Sequence, residues 1–300
     1  VNVFVLILLF FLLGLATRYF LSPPQRLTEL LNLFVINIAF PAVILTAVPF
    51  MTLSVDALIP LAVYWGLVPI CWLLSIGLGR YFNWSGDIRC VCFILLFCGN
   101  TGFLGVPMAK AFLEAESIAY VLLYDQFGTF IGLATVVAIT IARNENKEAK
   151  SDVKKSLTKI ITFPPFAFLM ASLLLPIAPL VTPVMGLLDG LGQLIVPATM
   201  MVVGLQFRLK IESKYRLPLF IILMTKMIML PLGVWGVLSL LSVESIMLAS
   251  VVFQAAAPPM ITAAALLISA RIAVPLVGSA LGVGTILSFF LLPIWGVLLG

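Results

Sequence analysis

The chain has 300 residues, of which 63% are apolar and only 10% charged, and its mean hydropathy is +1.23. A soluble domain carries about 25% charged residues, and no core of this size absorbs such a surplus of Leu, Ile, Val and Phe, so lipid is the solvent that fits. The net charge of +5 is not a nucleic-acid stripe, because the basic residues fall in short gaps between apolar runs.

The first run, Val1 to Phe20, has no positive n-region. It also exceeds the roughly 7–15 residues of a signal h-region, so it reads as a membrane span. Further apolar stretches follow at 28–50, 57–79, 90–113, 117–142, 159–179, 185–207, 217–241, 244–269 and 273–299. Each is near the roughly 20 residues that cross a bilayer core, which makes ten spans with the first. The gaps hold Ser22 to Arg26, Arg80 to Arg89, Arg143 to Lys159 and Arg208 to Arg216. None is long enough for a folded soluble domain, and the expectation is one all-α integral membrane unit.

Lys and Arg alternate sharply between successive gaps. The odd gaps hold 15 of them and the even gaps only Lys110, while Lys226 lies inside the eighth span. Under the positive-inside rule this predicts both termini on the non-cytoplasmic side of the plasma (inner) membrane. The longest gap divides the chain into a first five-helix repeat (1–142), a cytoplasmic linker (143–158) and a second five-helix repeat (159–300). An odd number of spans per half makes the halves cross in opposite senses, the inverted-repeat plan of many secondary transporters.

Matching breaks support the repeat. The second span carries Pro41 and the seventh Pro197, and the fourth is interrupted at Gly99-Asn100-Thr101-Gly102-Phe103-Leu104-Gly105-Val106-Pro107. The ninth is interrupted at Gln254-Ala255-Ala256-Ala257-Pro258-Pro259. Proline removes a backbone hydrogen bond, and in lipid the freed carbonyl needs a partner, so breaks survive beside protein or a water-filled cavity. Two packing kinks are the plainer alternative. A pair at equivalent positions with Asn100, Thr101 and Gln254 adjacent points to a substrate site at mid-membrane.

Enzyme chemistry has little support. With no histidine, a metal site would need thiolates, and Cys90-x-Cys92 lacks the usual C-x₂₋₄-C spacing, so Cys71, Cys90, Cys92 and Cys98 read as buried thiols. No base exists for serine or cysteine catalysis. An intramembrane aspartyl protease would use Tyr124-Asp125 with a second acid, but Leu188-Asp189-Gly190-Leu191-Gly192 places its glycines after the acid. A channel would carry a continuous polar stripe, whereas the polar residues here gather at mid-span. Neither a cofactor nor a metal is expected.

The run Leu31-Asn32-Leu33-Phe34-Val35 leading to Pro41, the Asn100 to Pro107 segment, Tyr124-Asp125-Gln126 and Phe253 to Pro259 resemble the auxin efflux carrier family. That family includes bacterial organic-acid carriers and plant PIN-type auxin exporters. The resemblance covers nearly the whole chain and implies a ten-helix inverted repeat related to the sodium/bile-acid symporter fold, usually a homodimer. It implies a scaffold of spans 1, 2, 6 and 7, and a moving domain of spans 3–5 and 8–10. The fourth and ninth spans would cross and bind a small organic anion, such as a dicarboxylate or auxin-like acid, by elevator-type alternating access.

Carried over, the substrate-binding candidates are Asn100, Thr101, Gly105, Pro107, Gln126, Gln254, Pro258 and Pro259. The plant members' long central loop is missing, and Ala263 stands where they have a second proline, so auxin specificity does not transfer. A sodium-coupled bile-acid-type symporter is the alternative carrier. A broken helix offers an N-terminal end with about half a positive charge, which suits a carboxylate without help from Arg or Lys. Asp125 and Lys226 lie near half depth, where a charge costs roughly 2.5–3.5 kcal/mol. They are the candidate coupling pair, with Lys226 in the place of a cation and Asp125 exchanging a proton. A static ion pair is the alternative.

Overall fold

In the computed structural model, residues 2–21, 23–51, 55–144, 158, 161–209 and 211–299 are described. The expected linker 143–158 falls largely outside them. A backbone in lipid must satisfy every N–H and C=O internally, and this chain does so with helices. Seven helical runs are long and apolar enough to cross a membrane: α1 (Val3–Leu21), α2 (Gln25–Phe50), α3 (Ile59–Tyr81), α6 (Ser117–Asn144), α8 (Ala178–Gln206), α9 (Ser213–Leu240) and α12 (Val274–Leu299). Between them lie α4 (Gly86–Phe97), α5 (Val106–Phe112), α7 (Pro164–Leu174), α10 (Ser245–Ala255) and α11 (Ile261–Ser269). No strand occurs among the described residues; two backbones meet only at an isolated bridge, Gly99 with Pro259.

Two boundaries differ from expectation. The sixth span, expected to reach 179, ends at Leu174 because Leu175 precedes Pro176 and is extended (φ −118°, ψ 146°). A residue before proline is pushed out of the α region. The seventh, expected from 185, begins at Ala178, because Pro179 sits in a first-turn position where no N–H is lost.

Exposed Leu12, Phe20, Trp72, Phe220 and Val297 show that the helices are apolar on their outer faces as well as inside. That is the signature of segments between lipid and protein. α1 packs closely along the second half of α8. There a Cβ on Gly14 would strike the backbone of Met201, and one on Gly204 the backbone of Phe11. Small residues allow this approach, since lipid leaves packing and not solvent exclusion to hold helices together.

Several helices contain π-helical turns, and three of these lie two residues before a proline. Val35–Ala39 precedes Pro41, Thr101–Gly105 precedes Pro107, and Thr225–Met229 precedes Pro231. Proline cannot donate to the ladder, and a widened turn redistributes the carbonyls it frees. Tyr124–Phe130 is a longer π run with no proline. Thr101, Asp125, Gln126 and Lys226 all sit on these turns.

Candidate functional site

Two broken helices meet backbone to backbone. α4 ends at Phe97, and the chain resumes as a helix at Thr101, continuing into α5. α10 ends at Ala255 and resumes as α11 at Ile261. At the breaks the Asn100 N–H donates to the Pro258 carbonyl (2.6 Å) and the Met260 N–H donates to the Cys98 carbonyl (3.0 Å). Each break thus satisfies part of what the other lost, which is how unwound backbone persists away from water. Pro107 lies two residues past the π turn Thr101–Gly105, which takes up the missing donor, and the ring of Pro259 packs against Gly284 of α12.

Side chains complete the crossing. The Gln254 amide donates to the carbonyls of Val121 (3.1 Å) and Thr101 (3.4 Å), tying α10 to α6 and to the resumed fourth helix. Its carbonyl oxygen lies against Gly105, where a Cβ would displace the carboxamide from this position. Thr101 Oγ1 donates to Asp125 Oδ1 (2.5 Å) and Gln126 Nε2 to Asp125 Oδ2 (2.7 Å). Asn100, Thr101, Asp125, Gln126, Gln254 and Lys226 are each 5% exposed or less, so these side chains are shut off from both faces.

Asp125 and Lys226 both reach the break, but not as a direct ion pair. Among the described residues the single side-chain ion pair is Lys214 with Glu212 (3.7 Å). The Lys226 ammonium stands 3.2 Å from where a Cβ of Gly99 would lie, while the Asp125 oxygens stand 3.3 and 3.4 Å from that of Gly102. Lys226 therefore faces the carbonyl end of α4, and Asp125 faces the N–H end of the helix that restarts at Thr101. Each charge meets the helix end of opposite partial charge, which makes both tolerable without contact.

The corresponding N-terminus of α11 has no such carboxylate, and its N-cap, Met260, contributes no side-chain bond. Ile261, its first residue, lines a cavity of about 600 Å³ that continues past Gln206 to Arg208 and Gln25. On the opposite side, a cavity of about 700 Å³ carries Glu116 and Glu244 between α2, α6 and α10. Buried polar atoms without a partner in the chain include Asn100 Nδ2, Gln126 Oε1, Gln254 Oε1 and the hydroxyls of Tyr64, Tyr124 and Thr129. Groups of this kind are costly in a purely structural core.

Sequence reading missed Tyr64 and Thr129, and took Tyr124 only as part of a motif and not as a group at the site. Tyr64 is fully buried, meets Tyr124 edge-on at 5.4 Å between centroids, and packs on Gly128 and Gly132. An aromatic in an apolar span gives no local signal; only the two glycines spaced four apart on α6 hint at a large neighbour. Lys110 also finds a structural role, donating to the Gly192 carbonyl (3.2 Å).

A polytopic helical membrane protein with its polar groups gathered at a crossing of two broken helices belongs with the transporters. The family described as Membrane transport protein matches residues 1–296, and the chain belongs to it, the auxin efflux carrier family. An uncharacterized transporter from Methanothermobacter thermautotrophicus is 25% identical over 278 residues, covering 90% of this chain and 88% of its own length.

Proposed function

We propose that the chain is a secondary active carrier that exports small organic anions, such as dicarboxylates or auxin-like acids. Its plan is two inverted five-helix repeats working as a homodimer, with both termini outside the cytoplasm. In this reading α1, α2, α7 and α8 form the scaffold. The remaining helices move as an elevator carrying the crossing from one face to the other.

One observation carries the anionic substrate. Of the two helix N-termini at the crossing, Asp125 occupies that at Thr101, whereas that of α11 is uncapped and opens on a cavity with Arg208 at its rim. Free first-turn N–H groups and the helix dipole receive a carboxylate there. Asn100 Nδ2 adds a donor, and the carbonyls of Gln126 and Gln254 add acceptors for a hydroxyl or ring N–H on the same molecule. Lys226 fills the carbonyl end of α4 where a metal cation would otherwise bind. That favours proton coupling through Asp125 over sodium.

The test is transport by Asn100→Ala and Gln254→Ala in reconstituted vesicles. Each loses a hydrogen-bonding group, and a loss of about 1–3 kcal/mol corresponds to roughly 5- to 150-fold in apparent affinity. Wild-type affinity in both well-folded variants places the site elsewhere.

A further inference from the structure

A cavity remote from the crossing has the shape and charge of a lipid site. It lies between α3, α4 and α6, with a volume of about 680 Å³. Its mouth carries Gly86, Arg89, Arg143 and Asn144, which stand at the ends of α4 and α6 on one face of the molecule. Its walls are apolar: Val68, Ile76, Phe93, Val136 and Ile139. Ser75 and Thr140 also line it, but their hydroxyls are spent on the carbonyls of Trp72 and Val136 within their own helices.

The dimensions match one leaflet. With a rise of about 1.5 Å per residue, Val68 to Ile76 spans about 12 Å along α3, against roughly 15 Å for half the hydrocarbon core. Trp72, about half exposed on the outer face of α3, borders the cavity and leaves it open sideways to lipid. The floor is shut toward the crossing. Phe93 packs on Phe97 at 4.9 Å between centroids, and Phe97 meets Tyr64 at 6.3 Å. The Arg89 stem lies directly over Gly79, which holds the guanidinium at the mouth. Asp87, the nearby acid, instead accepts from the Asn144 amide (2.9 Å). Neither arginine has an ion-pair partner among the described residues.

We propose that this cavity binds an anionic phospholipid, its phosphate between Arg89 and Arg143 and one acyl chain in the slot beneath. A basic rim above an apolar slot at headgroup depth recognises such a lipid. A free phosphate or carboxylate would use the rim alone and leave the slot without a role. The proposal does not depend on which substrate the crossing carries.

Native mass spectrometry of the purified full chain reads this directly, by titrating phosphatidylglycerol against phosphatidylcholine. The Arg89→Gln/Arg143→Gln variant loses roughly 30-fold in preference for phosphatidylglycerol, about 5-fold for each arginine at a membrane surface. Ile139→Trp fills the slot with the charges intact and weakens retention of phosphatidylglycerol. Arg80→Gln, which removes a charge near the same face but outside the cavity, changes nothing. Millimolar inorganic phosphate fails to displace the lipid. An unchanged preference in the double variant overturns the proposal, as does an equal loss in Arg80→Gln. Displacement by phosphate together with an indifferent Ile139→Trp would assign the rim to free anions.

Discussion

Asn100, Thr101 and Gln254 were legible in the sequence because polar residues beside proline and glycine stand out in an apolar run. The partners of Asp125 and Lys226 were not. Two opposite charges at similar depth suggest a pair, yet each reaches a different helix end, three residues apart on the broken fourth span. That arrangement depends on where α4 stops and the next helix starts, a matter of one turn that composition does not fix. It also shapes the role of Asp125, whose two oxygens accept from Thr101 and Gln126 and so bind it to the crossing itself. Asp125→Asn keeps the shape and one acceptor but cannot exchange a proton. Its expected outcome is substrate exchange retained and dependence of net flux on an imposed pH gradient abolished, measured in vesicles with the gradient set or collapsed. PH dependence unaltered in a folded variant removes Asp125 from coupling.

The elements were legible where length and hydropathy decide, and less so where proline chemistry does. Seven apolar runs became continuous helices, all but α8 within four residues of their expected limits. The end of α7 at Leu174 followed from Pro176, which forces Leu175 out of the helix, and the early start of α8 from Pro179, which fits its first turn. The π turns had no sequence signature, although three of them precede a proline by the same two residues. Packing of α1 on α8 makes a sharper demand, because Gly14 and Gly204 face each other's backbone. Gly204→Leu forces the helices apart and is expected to cost about 1–3 kcal/mol, the usual price of overpacking. Thermal unfolding in detergent reads it as a lowered midpoint. Gly233→Leu on α9, where a side chain meets open space, is the control that leaves the midpoint in place.

For the whole molecule, charge counting predicts topology and the crossing predicts mechanism. Thr182, near the start of α8, and Ser213, which opens α9, are both exposed. In a background without the four native cysteines, Thr182→Cys is expected to label from outside intact cells and Ser213→Cys only after the membrane is opened. Reversed labelling contradicts the orientation drawn from the basic gaps. Which acid the proposed carrier would take is not legible in the sequence, because a site of the proposed kind, built largely from backbone N–H groups and carboxamides, would read charge and shape more than side-chain identity. The central claim is carriage of an organic anion by alternating access, and counterflow tests it most directly. Vesicles containing the purified protein, preloaded with an unlabelled small carboxylate, are diluted into trace labelled carboxylate. The account predicts transient, saturable accumulation of label above equilibrium, absent from Gln254→Ala vesicles. Flux that rises linearly with concentration and never overshoots contradicts it.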